Sequence, residues 1–166
     1  MVAYDSPASG RRAKEVLHRL MAELDDDLTF DVRLWRFDLL DVARAYQDAH
    51  ADATVAELFV VAFAGNSPPK EGLERLVQNW TEEHRMGDAA LVVMPVDHET
   101  DGDLMHFLRQ AAERNGVRFL FSGDGRISLA DTIDLPRLDH PTRHGPVALA
   151  AGMNGLKGGR RFGINE

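Results

Sequence analysis

Along this chain, short apolar runs alternate with longer amphipathic ones. Residues 1–4 (MVAY) are too short and too apolar for a surface helix, and the turn formers Ser6, Pro7, Ala8, Ser9 and Gly10 follow, so a strand ending in a polar loop is predicted. Ser9 is placed to cap a helix whose apolar positions Ala13, Val16, Leu17, Leu20 and Leu24 recur at helical spacing. After the acidic turn at Asp25, Asp26 and Asp27, residues 30–37 (FDVRLWRF) alternate apolar and charged side chains, as a half-exposed edge strand does. Residues 41–50 carry Val42, Ala45, Tyr46 and Ala49 on one face and predict a short second helix. Residues 58–64 (LFVVAFA) are apolar throughout, the signature of a strand covered on both faces and so of the centre of a sheet.

The alternation continues. Gly65, Asn66, Ser67, Pro68 and Pro69 break the chain, with Ser67 as the expected cap of a helix that bears Leu73, Leu76, Val77, Trp80 and His84 on one stripe. Residues 89–96 (AALVVMPV) read as the next buried strand. Thr100 and Asp103 have the spacing of a capping box, ahead of a helix with Leu104, Phe107, Leu108 and Ala111 that Gly116 ends. Residues 117–121 form a fifth strand, and Gly123, Asp124 and Gly125 predict a tight turn into a short strand at 126–129, antiparallel on the last edge. From Asp131 onward Pro, Gly and polar residues surround one apolar run at 147–151, so the extension 131–166 is expected to be irregular.

Strands alternating with helices of these lengths imply right-handed crossovers, and residues 1–130 are expected to form a three-layer α/β/α sandwich on a five-stranded parallel sheet. Five such strands suggest the flavodoxin-like order 2-1-3-4-5. In that order the winding reverses between strands one and three, which opens a crevice over residues 6–10 and 65–67. A strand that ends in a small-residue loop feeding a helix N-terminus leaves N–H groups for an anion. The candidate ligand contacts are therefore Ser6, Ser9, Gly10, Arg11, Asn66 and Ser67; the plainer reading is a loop that only connects strand to helix.

Composition narrows the chemistry. With 166 residues, 44% hydrophobic and 28% charged, the chain has the size and make-up of a soluble globular domain. Nineteen Lys and Arg against 27 Asp and Glu give a net charge of −8, which argues against broad contact with nucleic-acid phosphates or an anionic membrane. The absence of cysteine excludes disulfides, thiolate catalysis and cysteine metal sites, and fits a cytoplasmic location. No apolar run approaches a membrane span, and no basic segment precedes an apolar one at the N-terminus, so neither anchoring nor secretion is expected. Asp97, Glu99 and Asp101 imitate the start of a calcium loop, but its twelfth position is Leu108, which offers no oxygen. His98, His106, His140 and His144 lack a paired helical spacing, since Pro141 interrupts the last two, and no metal site is expected. There is no nucleophilic-serine motif, glycine-rich lysine loop or dinucleotide fingerprint. Trp35, Trp80, Phe107 and Phe119 are expected in packing, and Arg160 and Arg161 in a solvated tail.

Three resemblances bear on function. Tyr4-Asp5-Ser6-Pro7-Ala8-Ser9-Gly10 resembles the first loop of flavodoxins and related flavin reductases, although Arg11 and Arg12 stand where an uncharged pair is usual. That resemblance implies FMN as a cofactor, with Ser6, Ser9 and Gly10 about its phosphate and an arginine able to meet it. Asp5 resembles one member of the acidic cluster of response-regulator receiver domains. The third strand, however, ends Phe63-Ala64-Gly65-Asn66 without a phosphoacceptor aspartate, and Ser122-Gly123 replace the lysine and proline of that pattern. The implication is a degenerate receiver-like module that meets a protein partner or a second copy of itself through residues 30–37 or the glycine-rich tail. Val2-Ala3-Tyr4-Asp5 with Arg11-Arg12-Ala13 resembles the opening of universal stress proteins, whose ATP loop has no counterpart at Pro95-Val96-Asp97-His98.

Overall fold

The computed structural model of the chain describes residues 1–23, 31–64, 68–85, 87, 89–96, 102–123 and 163–164. Strands β1 (Val2–Tyr4), β2 (Arg33–Arg36), β3 (Leu58–Phe63), β4 (Ala90–Pro95) and β5 (Arg118–Phe121) alternate with helices α1 (Pro7–Glu23), α2 (Ala43–Thr54), α3 (Glu71–Glu83) and α4 (Asp103–Asn115). A 3₁₀ turn at Phe37–Asp41 joins β2 to α2. The five strands pair in parallel in the order β2-β1-β3-β4-β5, so the doubly wound sandwich expected from the apolar pattern is the observed architecture.

Side-chain alternation along the central strands builds two cores. Ala3, Phe59, Val61, Phe63, Leu91 and Val93 face α2, α3 and α4, while Val2, Tyr4, Val60, Ala62, Val92 and Met94 face the side that carries α1. Every residue of β4 is buried, and β3 is buried from Phe59 onward, as apolar runs flanked by helices on both faces require. Trp80 of α3 meets Phe59 edge to face, its ring centroid 5.3 Å away, and donates its indole N–H to the Ala56 carbonyl at 2.9 Å. Trp35 and Trp80 are both core residues, and Phe107 and Phe119 pack partly buried against the same cluster.

Among the five strands of the sandwich β2 is the end strand, the position expected for 30–37, and Arg33 is exposed and Arg36 half-buried while its apolar residues are covered. Leu34 packs toward α1 and Trp35 toward α2, and both are buried. A sixth strand, β6 (Gly163–Ile164), pairs in parallel on the outer side of β2, Arg33 opposite Gly163 and Leu34 opposite Ile164. The added strand thus lies beside β2 and runs parallel, and the extension expected to be irregular contributes it; the antiparallel strand expected at 126–129 lies outside the described residues.

Helix starts differ from the local signals in three places. Pro7 opens α1, so Ser6 and not Ser9 holds the capping position. Lys70, not Ser67, precedes α3, and the cap comes from a distance: Asp41 Oδ1 accepts the Gly72 N–H at 3.0 Å. Gly72 there lies so close to the 3₁₀ turn that a Cβ would stand 2.3 Å from the Leu40 carbonyl oxygen. Gly102, not Thr100, precedes α4, which makes Asp103 its first residue. Gly116 ends α4 as expected, with φ of 67° in the left-handed region.

Candidate functional site

The winding reversal places the C-terminal ends of β1 and β3 side by side, where open α/β sheets bind ligands. Asp5, the first residue after β1, ties the two together. Its Oδ2 accepts the Ala64 N–H at 2.8 Å from just beyond β3, its Oδ1 accepts the Ser9 hydroxyl, and its own N–H donates to the Ala62 carbonyl at 3.2 Å. The carboxylate is thus a clamp between two loop bases that lie 59 residues apart in the chain.

Ser6 and Ser9 close the start of α1 reciprocally. The Ser9 N–H donates to Ser6 Oγ at 3.3 Å, and the Ser6 N–H donates to Ser9 Oγ at 3.1 Å, a capping box built with serine at the third helical position. The Gly10 N–H donates to the Ser6 carbonyl at 3.0 Å. Pro7 has no N–H, so Ala8, which is exposed, supplies the one first-turn amide without a partner among the described residues.

The candidate residues therefore separate. Ser9 is fully buried, with its hydroxyl committed to Asp5 and Ser6. Gly10 is buried under Tyr4: a Cβ there would lie 2.9 Å from the ring, so the glycine sets the distance between helix and strand. Ser6 is half-buried at the loop surface, and Arg11 is exposed on the next turn of α1. Asn66 and Ser67 lie outside the described residues, as do Asp97, His98, Glu99 and Asp101. Among the described residues no group of three or more His, Asp or Glu side chains is arranged to hold a metal ion, and no described helix is long and apolar enough to cross a membrane.

Sequence reasoning weighed Asp5 only through family likenesses and passed over its clamp. The available signal was an acid at the end of an apolar strand with a serine four residues on, and the partner amide of Ala64 is invisible in sequence. At the C-terminal end of β5, Ser122 is also buried, its N–H donating to the Val93 carbonyl at 2.9 Å and its Oγ without a hydrogen-bond partner among the described residues. On the β2 side of the rim Arg36 forks onto Asp38 at 2.6 and 2.8 Å, and this hydrogen bonding holds the exposed Asp38 carboxyl below the ordinary carboxylate range.

A concavity lies near the outer edge of the sheet. A groove of about 580 Å³ runs between β2 and α2, with Trp35, Leu39, Val42 and Ala45 along it and Arg33, Arg44, Asp48 and Asp52 at its margins. Trp35 donates its indole N–H to Asp52 Oδ2 at 3.0 Å, which fixes the ring in the groove wall, while Val42 remains 53% exposed. The apolar lining is thus available to a partner and the polar margin is mixed in sign. Compared with known proteins, the chain matches no family model, and neither a curated protein nor a solved structure is significantly similar to it.

Proposed function

We propose that this chain is a small-ligand binding module that takes a phosphate-bearing or otherwise anionic compound at the C-terminal ends of β1 and β3, with FMN as the first compound to try. The observation that carries the reading is the reversal of winding at β1 and β3, with the Asp5 clamp holding the two loop bases in fixed relation. Ser6, the Ala8 amide and Arg11 are the described groups on the α1 side that a ligand can meet; Ser9 and Gly10 support the loop from beneath. Arg11 matters most, because a guanidinium matches a phosphate with two parallel hydrogen bonds.

Thermal unfolding against FMN, inorganic phosphate and a nucleotide panel tests the reading. A ligand at one hundred times its Kd stabilises the folded state by about 2.7 kcal/mol, roughly 5–10 °C for a chain of this length. Arg11→Ala should remove most of that rise. A colourless preparation with no shift across the panel rules the reading out.

A second reading, an interaction module on a receiver-like scaffold, is favoured by one specific observation. β3 ends at Phe63 and Ala64 with no carboxylate, whereas the two segments singled out as contact surfaces, residues 30–37 and the tail, meet in the β2–β6 pair. Concentration-dependent self-association or recovery of a partner tests it, and a monomer at high concentration that retrieves none counts against it.

A further inference from the structure

We propose that the outer edge of β2 is a strand-recognition site whose resident ligand is the C-terminal hexapeptide of the same chain, residues 161–166 (RFGINE). The inference deepens the interaction-module reading and is independent of any ligand at the β1/β3 crevice. Its anchor is the parallel register of Arg33 with Gly163 and Leu34 with Ile164.

Carried two residues in each direction, that register sets 161–166 against 31–36 as sequences. Arg161 would stand opposite Asp31, which already pairs with Arg33, and Glu166 opposite Arg36, which already forks onto Asp38, so each charge of the hexapeptide would join an existing pair as the opposite sign of its neighbour; Phe162 would stand opposite Val32 as Ile164 stands opposite Leu34, apolar against apolar in sequence. A slip of one residue either way destroys both features. Phe162 would then oppose Arg33 or Asp31, and Glu166 would oppose Phe37 or Trp35. The observed register is the one that the two sequences favour.

The faces agree with this arrangement. Leu34 packs with the α1-side core, against which Val32 and Leu20 are partly buried, so β2 offers an apolar row on that face to which the alternation of Phe162 and Ile164 in sequence would be matched. Gly163 pairs beside Arg33, on the face where the groove along α2 opens, and the same register would set Asn165 beside Trp35, so no large apolar side chain is called for there. An uncovered β2 would present backbone donors and acceptors at the edge of a parallel sheet, a surface that proteins cover or blunt. The covering strand pairs with β2 at Arg33 and Leu34, and backbone pairing of this kind is what a recognition site built by strand addition uses.

Hydrogen exchange of the full-length chain tests the proposal. Gly163→Pro removes a backbone donor and Ile164→Asp places a charge opposite Leu34; each should speed exchange of the outward amides of residues 33–36 at least tenfold. A labelled synthetic RFGINE peptide should bind both variants at least tenfold more tightly than it binds the unmodified chain, and restore the protection. The charge-swapped peptide EFGINR should do neither. Unchanged exchange in both variants, or equal binding of the two peptides, overturns the proposal. So does a dimer that Ile164→Asp dissociates, because the occupant is then the strand of a second copy. In that case the interaction-module reading survives, whereas a monomer that binds neither peptide nor any partner overturns that reading as well.

Discussion

Substituting Asp5 by alanine and, separately, by asparagine distinguishes a clamp made by hydrogen-bond geometry from one made by charge. Asp5→Ala removes the acceptor of the Ala64 N–H and one of three acceptors near the Ser9 hydroxyl. The Ser9 proton has the Ser6 carbonyl as an alternative at 2.8 Å, so the group that loses its hydrogen bond to the carboxylate is the Ala64 amide. A fully buried orphan donor costs about 1–3 kcal/mol, and Ala64 is half-buried, which brings the expected loss to roughly 1–2 kcal/mol. For a chain of this length that lowers the melting temperature by about 2–8 °C. Asparagine keeps an oxygen for the Ala64 N–H and turns an NH₂ toward Ser9 Oγ, so Asp5→Asn should lose less than about 1 kcal/mol. Urea unfolding midpoints, compared at constant slope, measure both differences. Asparagine as costly as alanine, or two neutral variants, would refute the geometric account. The same pair bears on the crevice: removing a negative charge beside Ser6 should tighten binding of an anionic ligand in Asp5→Asn, and this should weaken with added salt.

Two further outcomes follow from the packing. Gly72→Ala should destabilise by about 1–3 kcal/mol although alanine is the better helix former, because the added methyl collides with the Leu40 carbonyl and dislodges the Asp41 cap; a neutral or stabilised variant in chemical unfolding refutes the close approach. In a chain that starts at Met1, burial pushes the terminal amine down to about 6 against the attraction of Asp52 and Asp31. The unfolded amine, at 8.0, then binds more protons than the folded one between these values, so stability should rise by about 2 kcal/mol from pH 6 to pH 8; an amine titrating near pH 8 in the folded protein refutes this.

The elements that sequence reasoning placed correctly are those whose signal is periodic and local. The uninterrupted apolar runs that became β3 and β4, the Leu73, Leu76, Val77 and Trp80 stripe of α3, and the glycine after α4 each depend on neighbours within one or two turns. Helix starts were less legible, because a capping acceptor need not be adjacent in sequence. Asp41 serves α3 from 31 residues away, which frees the Lys70 position from any capping duty. The end position of β2 in the five-strand order was legible, but its further neighbour was not: β6 pairs on β2 from residues 163–164, which no local signal at 30–37 announces. Of the candidate loop residues, Ser6 is half-buried and Arg11 exposed, whereas burial of Ser9 and Gly10 depends on Tyr4 and Asp5, whose roles only the packed structure defines.

Serine and glycine in a strand-to-helix loop suit two competing uses, closing the helix on itself or presenting amides to a guest, and the deciding quantity is the number of donors left unclaimed. At α1 the Ser9 and Gly10 amides are spent on Ser6, Pro7 contributes none, and Ala8 remains. One amide and a partial positive charge at a helix end are worth about 1 kcal/mol to an exposed anion, far short of micromolar affinity at about 8 kcal/mol. Any ligand of the crevice must therefore draw most of its binding energy from side chains and from the loop after β3, and the guanidinium of Arg11 becomes the decisive contact on the α1 side. If Arg11→Ala leaves the binding of an anion unchanged, that anion sits elsewhere, and the serines of this loop serve the fold alone.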